Sequence, residues 1–132
     1  IKILSDKGIK LNITAIFTIE QCNNLIKFLN PETETIISLF CGRIADTGRN
    51  PEAICRGSQK IFSKSDKFKI LWASTREIYN ISQAIDYNCD IITVPGNILS
   101  KLGNFDKDLD QFSLETVKMF YEDAKKAGYK IL

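Results

Sequence analysis

The chain contains no histidine, so neither an imidazole base nor a histidine-bearing metal site can be built from its residues. Its four cysteines, Cys22, Cys41, Cys55 and Cys89, make no CxxC pair, which removes the usual zinc spacing and reads as free thiols in a reducing, cytoplasmic setting. Charge of one sign is also lacking. Eighteen Lys and Arg against sixteen Asp and Glu leave +2, spread without a basic stripe, which argues against a nucleic-acid partner. No apolar run reaches the roughly 18 residues that a membrane-spanning helix needs. Neither GxGxxG nor a P-loop follows the first strand-like run.

What remains is the composition of a globular domain, 44% hydrophobic and 26% charged over 132 residues, read here as a single domain spanning 1–132. The chain starts at Ile1, its one methionine is Met119, and its first residues already read as a helix end followed by a turn. The expectation is therefore a carboxy-terminal part of a longer polypeptide.

The body of the chain alternates strand and helix. Strands are expected at 11–17, 35–39, 68–73 and 90–94, from their β-branched and apolar content. Helices are expected from Thr18, with Gln21 as capping-box partner; from Asn50-Pro51 to about Phe62; and from Arg76 to Tyr87, with Ile78, Ile81, Ala84 and Ile85 facing inward. A short helix at 97–102 and an amphipathic one from Leu114 to Ala127, closed by Gly128, complete the pattern. Gly42 to Gly48 reads as a polar loop, and the charge run from Asp106 to Asp110 as a flexible one. Trp72, Phe17 and Phe28 read as core. Four strand-helix units fit half of a (β/α)8 barrel or a small doubly wound sheet, and the pattern alone leaves both open.

Polar groups concentrate where these strands end. Asn12 and Thr14, Ser38 and Arg43, and Ser74 and Arg76 bring an amide, hydroxyls and guanidinium groups to three successive strand tips, which in a parallel sheet share one end. Forked guanidinium groups beside hydroxyls suit a phosphorylated ligand. Each residue also has a plain structural use: Arg76 pairing with Asp46 or Glu77, Ser74 as a helix cap, Thr14 as a β-former. Asn12 is the least suited to a strand interior, where a buried amide needs partners.

These segments, Leu11-Asn12-Ile13-Thr14-Ala15-Ile16-Phe17 followed by Gln21, Ile37-Ser38-Leu39-Phe40-Cys41-Gly42-Arg43-Ile44 and Leu71-Trp72-Ala73-Ser74-Thr75-Arg76, resemble in order and spacing the carboxy-terminal half of the transaldolase family, which includes the fructose-6-phosphate aldolase-like members. Leu39 stands where the family usually has proline and Cys41 where valine is common. The resemblance implies a (β/α)8 TIM barrel of class I aldolase type, with this chain supplying about strands 5–8 and a carboxy-terminal helix. It implies Thr14 for positioning a catalytic water; Asn12, Ser38 and Phe40 for the sugar chain; and Arg43, Ser74 and Arg76 for the phosphate.

The implied activity is a metal-free, cofactor-independent transfer of a dihydroxyacetone unit between phosphorylated sugars, with an aldolase-like cleavage as the variant. Asn12 and Phe40 favour transaldolase. The Schiff-base lysine is expected just before Ile1, outside the chain, since Lys10 and Lys69 sit at strand beginnings; the chain alone is expected to be inactive. The opposing reading is a non-catalytic half-barrel that binds a phosphorylated metabolite. Its open edge and apolar face would favour a homo-oligomer or pairing with the missing amino-terminal half.

Overall fold

The computed structural model describes residues 1–129, in two compact units, Ile1–Ser100 and Lys101–Leu132. The first unit opens with α1 (Lys2–Asp6), β1 (Leu11–Ile16), α2 (Ile19–Leu25) and β2 (Thr35–Leu39). It continues through α3 (Cys41–Ala45), α4 (Glu52–Phe62), β3 (Phe68–Trp72), α5 (Tyr79–Asp86), β4 (Ile91–Ile92) and α6 (Gly96–Leu99). The second unit holds a 3-10 turn, Leu102–Asn104, and α7 (Leu109–Lys126).

All four strands are parallel and lie side by side in chain order, β1-β2-β3-β4. Thr35, Ile37 and Leu39 of β2 and Phe68, Ile70 and Trp72 of β3 alternate onto one face and are buried there. The inward residues of α2, α4 and α5, namely Cys22, Leu25, Ile54, Cys55, Phe62 and Ala84, pack into the same core. Strands in unbroken sequence, with α2, α4 and α5 packed into one core, are what half of a (β/α) barrel has, whereas a doubly wound sheet reorders its strands and carries helices on both faces. The α/β class thus stands, and the arrangement is consistent with a barrel fragment.

Local chemistry accounts for several element ends. Thr18 caps α2: its hydroxyl accepts from Gln21 N at 3.2 Å, and Gln21 Oε1 accepts in return from Thr18 N at 3.0 Å. Asn50 Oδ1 accepts from Glu52 N at 2.9 Å as α4 begins behind Pro51. Buried Ser5 ties α1 to the approach to β2, accepting from Asn30 N at 2.8 Å while its carbonyl accepts from Thr33 Oγ1 at 2.7 Å.

Several expectations are corrected. The supposed loop after β2 begins as helix α3, because Gly42 is needed for a close approach described below. Helix α2 closes at Leu25 and tightens into a 3-10 turn over Ile26–Phe28, which leaves Phe28 48% exposed rather than in the core. Phe17 is exposed as well, its ring tilted at 53° against that of Phe40 with centroids 5.6 Å apart. Helix α5 starts at Tyr79 instead of Arg76, and Asn80 rather than Ile85 takes the buried position.

In the second unit, Asp108 of the charge run is the N-cap of α7, accepting from Gln111 N at 2.8 Å, and Asp110 lies in its first turn. Gly128, at φ +79°, turns the chain out of that helix. Leu109, Val117 and Phe120 are each more than half exposed within this unit.

Replacing Thr18 by Ala removes the α2 cap and is expected to lower stability by about 1 kcal/mol in urea unfolding. A change below a few tenths of that would show the capping box to be idle.

Candidate active site

The carboxyl ends of the parallel strands lie along one edge: Phe40, Arg43, Ser74 and Arg76 come just beyond it and Ser38 one residue before the end of β2, whereas Asn12 and Thr14 sit within β1, Asn12 near its amino end. On β1 the side chains of Asn12 and Thr14 alternate onto the face opposite the helices, where both are exposed. This corrects the expectation of a buried amide. Asn12 still has its partner: Ser38 Oγ, 98% buried on β2, donates to Asn12 Oδ1 at 2.7 Å. A register shift between Ile13 and Ile16, with Ala15 at φ +60°, breaks the regular β1 pairing around Thr14.

Beyond β2, Phe40 is half-buried between Phe17 and the guanidinium of Arg43, whose Cζ stands 5.4 Å over the ring. Arg43 projects from the first turns of α3 and is exposed. Beyond β3 the chain turns through Ser74, held at φ +64°. Thr75, buried, donates its hydroxyl to Thr93 O at 2.6 Å and so joins the ends of β3 and β4.

Gly42 locks these two segments together. Its N–H donates to Ala73 O at 3.3 Å, and a Cβ placed on it would fall 1.5 Å from Ser74 O. Any side chain here would displace the backbone that carries Ser74, so α3 and the β3 tip can be this close only through glycine.

Arg76 is positioned at both ends. Its backbone N–H donates to Asn80 Oδ1 at 2.8 Å, as does that of Glu77 at 3.2 Å, while Asn80 Nδ2 donates to Gln83 Oε1 at 2.8 Å. Its guanidinium Nη2 donates to Asp46 Oδ2 at 2.6 Å, with both side chains about half exposed. A shallow depression of about 390 Å³ runs beside it, lined by Ser74, Thr75, Arg76, Thr93, Val94 and Pro95. Asn80 carries one weak signal in the sequence, a polar residue on an otherwise apolar helix side.

A more enclosed cavity of about 280 Å³ opens at the amino ends of the strands, near Lys10, Glu34, Ile36 and Lys69. Two of its cations are paired: Lys10 pairs with Glu34 and holds that carboxyl below its usual range, and Lys69 lies 3.6 Å from Asp90. In parallel α/β proteins this end carries stability, and the chemistry gathers at the other.

A model of the family described as Transaldolase/Fructose-6-phosphate aldolase matches residues 1–131. The chain belongs to this family. Among similar transaldolase-family proteins, the "Probable transaldolase" of Paracoccus denitrificans (strain Pd 1222) is 31% identical over 121 residues, covering 89% of this chain and 54% of that protein. "Probable transaldolase 2" of Listeria monocytogenes serovar 1/2a (strain ATCC BAA-679 / EGD-e) is 32% identical over 113 residues, 83% of this chain and 50% of that protein. The "Probable transaldolase" of Carboxydothermus hydrogenoformans (strain ATCC BAA-161 / DSM 6008 / Z-2901) is 33% identical over 103 residues, 77% and 46% respectively. The chain thus spans about half the length of the curated transaldolase relatives it matches.

Two substitutions separate close approach from ordinary helix packing. Gly42→Ala drives a methyl into a backbone carbonyl and is expected to cost about 3 kcal/mol. Gly57→Ala in α4 meets only the flexible end of Ile19, 2.4 Å from the ideal Cβ, and gains helix propensity, so it should stay within about 1 kcal/mol of wild type. Equal losses in chemical denaturation would contradict the lock. Asn80→Ala, which orphans two backbone N–H groups, is expected to cost about 1–3 kcal/mol. Asp46→Asn, acting on an exposed pair, should cost no more than about 1 kcal/mol by the same measurement.

Proposed function

We propose that this chain forms the phosphate-binding end, about strands 5–8, of a transaldolase that moves a dihydroxyacetone unit between phosphorylated sugars through a lysine Schiff base, the lysine lying outside these residues. The observation that carries the reading is the placement of Arg43, Ser74 and Arg76 around one contact, Gly42 against the Ser74 carbonyl. Two guanidinium groups and a hydroxyl suit a phosphate dianion, and Arg76 exchanges Asp46 for the incoming phosphate oxygens. An exposed ion pair worth no more than about 1 kcal/mol gives way readily to such a ligand.

The sugar chain then lies over the face that carries Asn12 and Thr14. The Ser38 hydroxyl, by donating to Asn12 Oδ1, orients that amide so that its NH₂ is the end offered to substrate hydroxyls. Phe40 forms the apolar side of the channel. Thr14 holds the water that takes part in proton transfer at the Schiff base, the step in which C–C cleavage leaves an enamine for the acceptor aldehyde. The reaction of this family needs no group beyond these side chains, the lysine and the acids that other strands supply. Cleavage without an acceptor, as in fructose-6-phosphate aldolase, differs only in whether the enamine is protonated and released. Asn12 and Phe40 favour transfer.

The reading is tested on the complete protein. Fructose 6-phosphate is expected to raise its melting temperature, and borohydride to trap a covalent adduct. Arg76→Ala should weaken sugar-phosphate binding by roughly tenfold to a hundredfold, the loss of charged hydrogen bonds worth about 1.5–3 kcal/mol. Failure of sugar phosphates to bind would refute it. Binding without a trapped adduct would favour a non-catalytic sugar-phosphate protein.

A further inference from the structure

The side-chain cluster unused by this reading is made of thiols. Cys41 opens α3, Cys55 lies within α4, and Cys89 sits in the turn between α5 and β4. Cys41 and Cys55 are both fully buried, with their sulfurs 3.5 Å apart. Free buried cysteines ordinarily pack as small apolar groups. Two on separate helices at this distance are within a small rotation of an S–S bond of about 2.0 Å.

We propose that Cys41 and Cys55 form a reversible redox site, whose disulfide draws the first residue of α3 towards α4 and loosens the contact between Gly42 and Ser74. The reaction takes a two-electron oxidant of the diazene class. One thiolate adds to the N=N bond, the second displaces the resulting hydrazide from the first sulfur, and the two thiol protons end on the hydrazine product. Two S–H bonds break and one S–S bond forms. A dithiol reductant reverses the change by exchange.

The kinetics follow from the surroundings. The hydrogen bond with Cys41, together with burial, holds the Cys55 thiol far above the ordinary range, and Cys89 is raised in turn by Cys55 and by burial. Thiolate is scarce at neutral pH, so oxidation of the closed fold is slow. The mechanical consequence follows from the lack of slack at Gly42, where the space for even a methyl is already filled by Ser74 O. A displacement of Cys41 therefore passes to its neighbour and to the loop after β3.

The test uses the complete protein treated with diamide under native conditions, acid-quenched, alkylated and digested. The expected product has lost the mass of two hydrogens, yields a peptide linking Cys41 to Cys55, and reverts with dithiothreitol. The link should persist in Cys89→Ser and vanish in Cys55→Ser, or in Cys41→Ala should that variant fold better. In the oxidised form the Gly42 amide should exchange its hydrogen about tenfold faster, since its bond to Ala73 O is stretched. Four alkylatable thiols in this chain after prolonged treatment, or a Cys55–Cys89 link instead, would overturn the site. Unchanged Gly42 exchange in a correctly linked protein would overturn its coupling to Ser74. Neither readout depends on phosphate binding.

Discussion

The contact of Gly42 with the Ser74 carbonyl is the constraint on which the candidate site depends. It brings the first turn of α3 against the tip of β3, and so sets the backbone that carries Arg43 beside the backbone that carries Ser74 and Arg76, although they come from two strand-helix connections. Glycine is costly inside a helix, by about 1 kcal/mol relative to alanine. Here the cost is outweighed because no other residue lets two backbones approach so closely. The left-handed turn at Ser74 belongs to the same arrangement, since it aims the carbonyl and the following Arg76 after β3 has ended.

Around that contact the fold separates its tasks. The face of the sheet towards the helices is a core of Ile37, Leu39, Ile70 and Trp72, closed by α2, α4 and α5. The opposite face and the carboxyl edge carry the polar groups, each tied to its own support: Ser38 to Asn12, Thr75 to Thr93, and Asn80 to the backbone of Arg76. At the amino edge Lys10 pairs with Glu34 and Lys69 with Asp90. This division is the one expected of a parallel barrel wall, and it is in keeping with membership of the transaldolase/fructose-6-phosphate aldolase family.

Much of the fold was legible in the residues. The β2 span of Thr35–Leu39 and the Thr18/Gln21 capping box match the structure because β-branched runs and reciprocal capping are local signals. What escaped was non-local. Cys41-Gly42-Arg43 reads as a loop when glycine is taken as a breaker, whereas its partner, the Ser74 carbonyl, lies over thirty residues away. Arg76-Glu77-Ile78 looks helical by composition, yet Asn80 reaches back to bond the N–H groups of Arg76 and Glu77 and delays α5 to Tyr79. Phe17 and Phe28 read as core on apolarity alone, yet Phe17 lies at the surface with its ring tilted against Phe40, and a 3-10 turn leaves Phe28 exposed. The site residues are legible as a set of polar groups near the strand ends, and the Arg76–Asp46 pair with them, but Asn80, which holds the Arg76 backbone, is not.

The most direct test of the central claim is an amide NMR titration of the protein with inorganic phosphate. Saturable shifts are expected at Gly42, Arg43, Ser74 and Arg76, at the carboxyl edge of the sheet. Shifts confined to Lys10, Lys67 and Lys69, around the cavity at the opposite edge, would contradict it.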